Sequence, residues 1–155
     1  MTLVFNASPL IVLAKTDLLD LLLPLGNQIW IPQPVATEVL AVNKPADPAR
    51  RWITDKTSIT HAPISISPFV MAWDLGDGQS AVLSLTESMS GAVAVLDDQA
   101  SRNCALAMRV QCIGTLGLIL MARQNRLIPS AREALNDVIA AGLFISQNHV
   151  DSILR

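Results

Sequence analysis

Charged side chains are scarce in this chain of 155 residues: Asp, Glu, Lys and Arg make up 15%, while 51% of the residues are apolar. A chain so poor in charge must bury much of its apolar surface in one core, partly against a second subunit, and a homodimer is expected. The formal charge of −2 gives no global attraction to nucleic acid, so any such binding needs a local patch. The cations on offer are Lys44, Arg50, Arg51 and Lys56 in the middle segment, with Arg102 and Arg109 near an acidic pair; most read as solvated surface charges. Cys104 and Cys112 lack Cys-x-x-Cys spacing and paired histidines, and read as reduced core thiols. His61 and His149 are isolated and read as surface or structural residues rather than metal ligands. Long apolar runs are missing too. Asp17 and Asp20 interrupt the Leu-rich segment, and residues 113–122 fall short of the roughly 20 residues a bilayer span needs, so no membrane association is expected. The opening Met-Thr-Leu-Val-Phe carries no basic leader and reads as a first strand rather than a signal peptide, which places the expected location in the cytoplasm. Neither a repeat nor a linker interrupts residues 1–155, and a single domain is expected.

What is present is an alternation of short apolar strands with helical segments, the pattern of a parallel sheet flanked by helices. Strands are expected at Leu3–Phe5, Gln28–Ile31, before Asp97, at Val110–Ile113 and at Leu143–Ile145. Ser8 is placed to cap a helix whose first turn holds Pro9 and which runs through the Leu-rich segment to Pro24 and Gly26. Helices are further expected from Gln33 to Val42, around Ala49–Thr54, from Gly76-Asp77-Gly78 onward, over Asn103–Arg109, over Thr115–Arg126 and between Pro129 and Gly142. A terminal helix capped by Ser146 is expected to carry Val150, Ile153 and Leu154. The stretch Ile59-Thr60-His61-Ala62 alternates as an edge strand would. The helix over Thr115–Arg126 is apolar beyond one stripe, which suits central core or a subunit interface.

The chemistry gathers at Asp97 and Asp98, which follow the apolar run Ala92-Val93-Ala94-Val95-Leu96 and so fall at the carboxyl edge of the sheet, where such sheets bind ligands. Asn6 and Ser8 after the first strand, Glu38 and Gln79 are placed to meet them. Glu38 has Pro34, Val35, Ala41 and Val42 as neighbours at helical spacing, and a carboxylate leaving an apolar surface is costly unless paired, cation-bound or able to reach water. Asp97 and Asp98 also stand where a helix begins, but one cap explains one aspartate, not two. Three converging carboxylates would make a hard oxygen site for Mg²⁺ or Mn²⁺. A phosphate loop is excluded, because Gly76-Asp77-Gly78 has neither its spacing nor its lysine. A phosphoacceptor receiver would need acids after the first strand and a late lysine, where this chain has Asn6 and Gly114-Thr115.

The ordered stretches at 6–11, 31–39, 75–82, 96–102 and 114–117, from Asn-Ala-Ser-Pro-Leu-Ile to Gly-Thr-Leu-Gly, resemble the PIN-domain family. They are most similar to its bacterial and archaeal branch of nucleic acid-binding, toxin-like nucleases. The resemblance implies a three-layer α/β/α sandwich around a mainly parallel sheet. For active members it implies an endoribonuclease dependent on Mg²⁺ or Mn²⁺, commonly the toxin partnered by a small antitoxin protein. Its first acidic position falls on Asn6, its second on Glu38, its third on Gln79 and its fourth on Asp97 or Asp98; Ser8 matches the accompanying hydroxyl. Arg102 is placed either to neutralise substrate phosphate or to pair with a nearby Asp. Two of the family's acids are amides here, and an amide keeps a carbonyl oxygen while losing the charge. Two readings follow: an RNA-cleaving enzyme with catalytic Glu38, Asp97 and Asp98 and a weakened metal site, or a non-catalytic nucleic acid-binding or regulatory module on the same scaffold.

Overall fold

A computed structural model describes residues 1–41, 47–55, 64–145 and 147–154. The short apolar runs become strands β1 (Thr2–Phe5), β2 (Gln28–Trp30), β3 (Ala92–Val95) and β4 (Cys112–Ile113), in the spatial order β2-β1-β3-β4. All their pairings are parallel, with Phe5 opposite Val95 and Val95 opposite Ile113. The central strands are covered on both faces, which is why Leu3-Val4-Phe5 and Ala92-Val93-Ala94-Val95 are continuous apolar runs rather than alternating ones.

Helices flank the sheet as in an α/β/α sandwich. They are α1 (Ala7–Lys15), α2 (Leu19–Leu22), α3 (Gln33–Leu40), α4 (Pro48–Asp55), α5 (Pro68–Met71) and α6 (Asp77–Ser88), followed by α7 (Gln99–Met108), α8 (Thr115–Gln124), α9 (Ala131–Ala140) and α10 (Gln147–Ile153). The core joins Leu3 and Phe5 of the sheet to Leu10, Leu83, Leu118 and Leu135 of the helices, each essentially inaccessible to solvent. Each such side chain contributes roughly 1.5–3 kcal/mol relative to an exposed one. None of the described helices is long and apolar enough to cross a membrane.

Three expectations need correction. The Leu-rich segment is not one helix: α1 stops at Lys15, because Asp17 adopts φ 56° and the N–H groups of Asp17 and Leu18 close back on the carbonyls of Ala14 and Leu13. Nor does Ser8 cap α1. The N-cap is Asn6, and Ser8 lies exposed within the first turn. Residues 143–145 form no strand, since the Leu143 N–H is taken by the Val138 carbonyl in closing α9 around Gly142 at φ 122°. The helix beginning at Thr115 is largely core: Leu118, Ile119 and Ala122 are fully buried, while Leu116, Leu120 and Met121 are half-buried. The stretch Ile59 to Ala62, with His61, lies outside the described residues, as do Val42, Lys44, Lys56 and Ser146.

Candidate functional site

Strand order reverses between β1 and β3, with β2 on one side and β4 on the other, and the crevice at the carboxyl end of such a switch point is the natural ligand site of an open parallel sheet. Asn6 leaves β1 there, and its backbone N–H donates to the Val95 carbonyl at 3.1 Å. Asp97 leaves β3 two residues beyond that carbonyl, so both chain ends reach the same edge.

On the β1 side a cradle forms over Gly78, the second residue of α6. A Cβ there would stand 2.9 Å from Glu38 Oε2, 3.2 Å from Asn6 Oδ1 and 3.4 Å from Val35 Cγ2. The absent side chain at 78 lets α3 and α6 pack closely and leaves two oxygen acceptors facing one small space. Asn6 is only 6% exposed, yet its side chain neither caps α1 nor bonds to any described residue. Glu38 leaves α3 beside buried Val35 and Val39 but is itself exposed, as a Glu on the rim of an apolar face should be.

On the β3 side the two aspartates divide. Asp97 Oδ1 accepts from the Thr115 N–H at 2.7 Å, and its Oδ2 accepts from the Thr115 hydroxyl at 2.6 Å. Asp98 is the N-cap of α7, its Oδ2 accepting from the Ser101 N–H at 2.9 Å. Its Oδ1 is buried without a partner among the described residues, as is the hydroxyl of fully buried Ser101. One aspartate therefore does become a cap, and the other is bound across to the start of α8.

The remaining residues spread out. Gln79 turns its Oε1 back onto Gly76, the N-cap of its own helix. Arg102 is exposed, its side chain makes no ion pair or hydrogen bond among the described residues, and it lays Nη1 over Gly114, where a Cβ would be 2.8 Å from it and 3.0 Å from Asp97 Oδ1. Arg109 is not near the acidic turn; it ends α7 at φ 58° beside Gly91 and Ala92, at the amino edge of the sheet. Arg50 holds the Leu40 carbonyl at 2.9 Å. Cys104 is buried and unpaired, and burial, helped by nearby Glu87, pushes its thiol pKa up.

Among the described residues no three His, Cys, Asp or Glu side chains stand close enough together to hold one ion. The donor chemistry still suits a hard cation, because the Gly78 cradle brings one carboxylate and one carbonyl oxygen to the same small space. Gly78, Gly114 and Thr115 lie in stretches that carry the family resemblance but were not expected among the site residues. The signal for the last two was a Gly-Thr pair immediately after a strand, at the same sheet edge as the acids.

The DUF3368 family, described as a PIN domain, matches residues 2–155. Among proteins with curated descriptions none matches the chain. With a family match over almost its whole length, a parallel sheet between helices and its polar residues at the switch point, the chain belongs to the PIN-domain family, whose domains are nuclease-like or nucleic acid-binding modules and generally use divalent metal ions.

Proposed function

We propose that this protein is an endoribonuclease of the PIN type, one domain over residues 1–155, with a reduced acidic set at the carboxyl edge of its sheet. The observation that carries this reading is the pair of oxygens, Asn6 Oδ1 and Glu38 Oε2, that border the same small space over Gly78. Glu38 and Asn6, with Asp97 one strand away, would hold Mg²⁺ or Mn²⁺. When bound, such an ion lowers the pKa of a water and offsets charge on a phosphodiester.

The chain's own residues then divide the work. Glu38 and Asp97 supply negative charge, and Asn6 supplies a neutral oxygen that orients without adding charge. Asp98, counted from sequence among the acids, serves by fixing the first turn of α7 and so the position of Arg102. The Arg102 guanidinium, free of protein partners among the described residues, takes a phosphate oxygen of the substrate. A cleft of about 640 Å³ beside α3 and α6, lined in part by Pro34, Leu75, Asp77 and Ser80, lies one helical turn from Glu38 and has room for a nucleotide. Ser8 and Gln79 line the approach. Toxin action beside a small antitoxin protein, a homodimeric state and a cytoplasmic location belong to the same proposal.

The test is cleavage of mixed single-stranded and structured RNAs with Mn²⁺, beside EDTA and a Glu38→Ala/Asp97→Ala/Asp98→Ala control. Metal-dependent cleavage that the control lacks supports the reading. A second reading, a non-catalytic nucleic acid-binding or regulatory module, is favoured by the Gln79 side chain that turns back onto Gly76. It prevails if RNA binds without being cut and calorimetry detects no Mn²⁺ binding.

A further inference from the structure

We infer that Thr115, in the Gly114-Thr115 pair after β4, is a positioning residue for Asp97. The inference rests on the metal-site reading above and deepens it. Thr115 is fully buried, and its two donors are spent on one carboxylate: N–H to Oδ1 at 2.7 Å and hydroxyl to Oδ2 at 2.6 Å. A carboxylate gripped at both oxygens cannot rotate about its Cβ–Cγ bond without breaking both contacts. Each oxygen accepts one hydrogen bond from Thr115, which leaves two of the carboxylate's roughly four lone-pair sites for a ligand. The half-exposed Asp97 is therefore oriented and still available.

The local sequence makes the grip feasible. Gly114 is the N-cap of α8 and has no side chain to offer the helix, so the first N–H of α8 goes to an aspartate 18 residues earlier in the chain. A side chain at 114 would crowd both Asp97 Oδ1 and Arg102 Nη1. Glycine clears the space, threonine fixes the acid within it, and Arg102 stands on the other side. Among the described residues Asp97 is the one acid of the edge whose two oxygens are both held by a single partner. Where two of the family's acids are amides, fixing a remaining carboxylate in advance compensates for part of the lost charge, because less ordering is left to the binding step.

The experiment compares the full chain with Thr115→Val, which keeps the buried shape and removes the hydroxyl, and Thr115→Ser, which keeps the hydroxyl. Mn²⁺ affinity is read by calorimetry, and the Asp97 side-chain torsion by crystallography of each variant. Thr115→Val is expected to weaken Mn²⁺ binding about 10- to 100-fold, as loss of a partner behind a metal ligand typically does, and to release Asp97 from its rotamer. Thr115→Ser is expected to stay within about threefold of the wild type, on the same scale. If the wild type binds Mn²⁺ and Thr115→Val binds it equally well with only a lower melting temperature, Thr115 is merely structural and this inference is overturned while the site stands. A wild type that binds no Mn²⁺ overturns the metal-site reading, and the positioning role with it.

Discussion

The two halves of the carboxyl edge use their oxygens differently. Over Gly78, oxygens of Asn6 and Glu38 border one small space, and a nearly buried amide goes unpaired. Around Gly114, Asp97 has both oxygens bonded and Asp98 spends one on a helix N-terminus. Folding alone explains the second arrangement, since caps and crosslinks of this kind stabilise the helices they touch. It does not explain the first, where the Glu38 and Asn6 oxygens border one space without fixing any element; yet the second side also keeps Asp98 Oδ1 and the Ser101 hydroxyl buried without a described partner. The contrast teaches that oxygens not spent on holding the fold, rather than the richest network, are the ones open to a ligand.

The sharpest way to break this contrast is to fill the cradle. Gly78→Ala puts a methyl against the Glu38 carboxylate and the Asn6 amide, and Glu38, being long and exposed, yields. Mn²⁺ affinity is expected to fall by about 100-fold or more, the upper end of what supporting partners alone cost. Folding stability should hold within about 1 kcal/mol, because alanine is the better helix former. Equal Mn²⁺ binding in calorimetry would end the claim that the space is a site.

Next in size is the split between the aspartates. Asp97→Asn should weaken Mn²⁺ binding about 10- to 100-fold. Asp98→Ala should leave it within error and instead lower unfolding stability by about 1 kcal/mol through loss of the α7 cap, seen in urea titrations. A reversed pattern would exchange their roles.

A smaller effect sharpens the first half alone. Asn6→Asp restores a charge near Glu38, and without metal it should destabilise the fold by about 1 kcal/mol through repulsion between the two carboxylates. With Mn²⁺ it should bind about tenfold more tightly, so that thermal shift changes sign on adding the ion. The smallest effect lies outside both halves. The raised pKa of Cys104, caused first by burial and then by Glu87, keeps its thiol protonated to higher pH than in an unfolded chain. Stability from this group is thus lost as pH rises above the ordinary thiol range. Alkylation between pH 7 and 9 should reach half-buried Cys112 at least about tenfold faster than Cys104, as mass spectrometry of modified peptides would show.

Much of this architecture was written along the chain. Leu3-Val4-Phe5 and Ala92-Val93-Ala94-Val95 are apolar without alternation because both faces of a central parallel strand are covered, and that property is local to the run. Gly142 marks the end of α9 for a similar reason, since glycine meets a positive φ without penalty. Asp17, Arg109 and Arg126 take the same left-handed conformation at helix ends with no glycine to announce it, so the break between α1 and α2 could not be read in advance. There the closing hydrogen bonds decided, and leucines on both sides hid the boundary.

For the site, the sequence by itself determined which residues arrive at the edge: Asn6 after β1, Glu38 on α3, Asp97 and Asp98 after β3. Strand ends and helix periods fix those addresses through bonds between near neighbours. Only the tertiary structure decided what each does there. Asp97 and Asp98 are chemically identical and adjacent, and nothing in their spacing tells a helix cap from a carboxylate held by Thr115. That choice depends on where α8 begins in space, 18 residues further along the chain. The cradle over Gly78 likewise needs α3 packed on α6, a contact between segments 40 residues apart, and so it is visible only once the chain has closed.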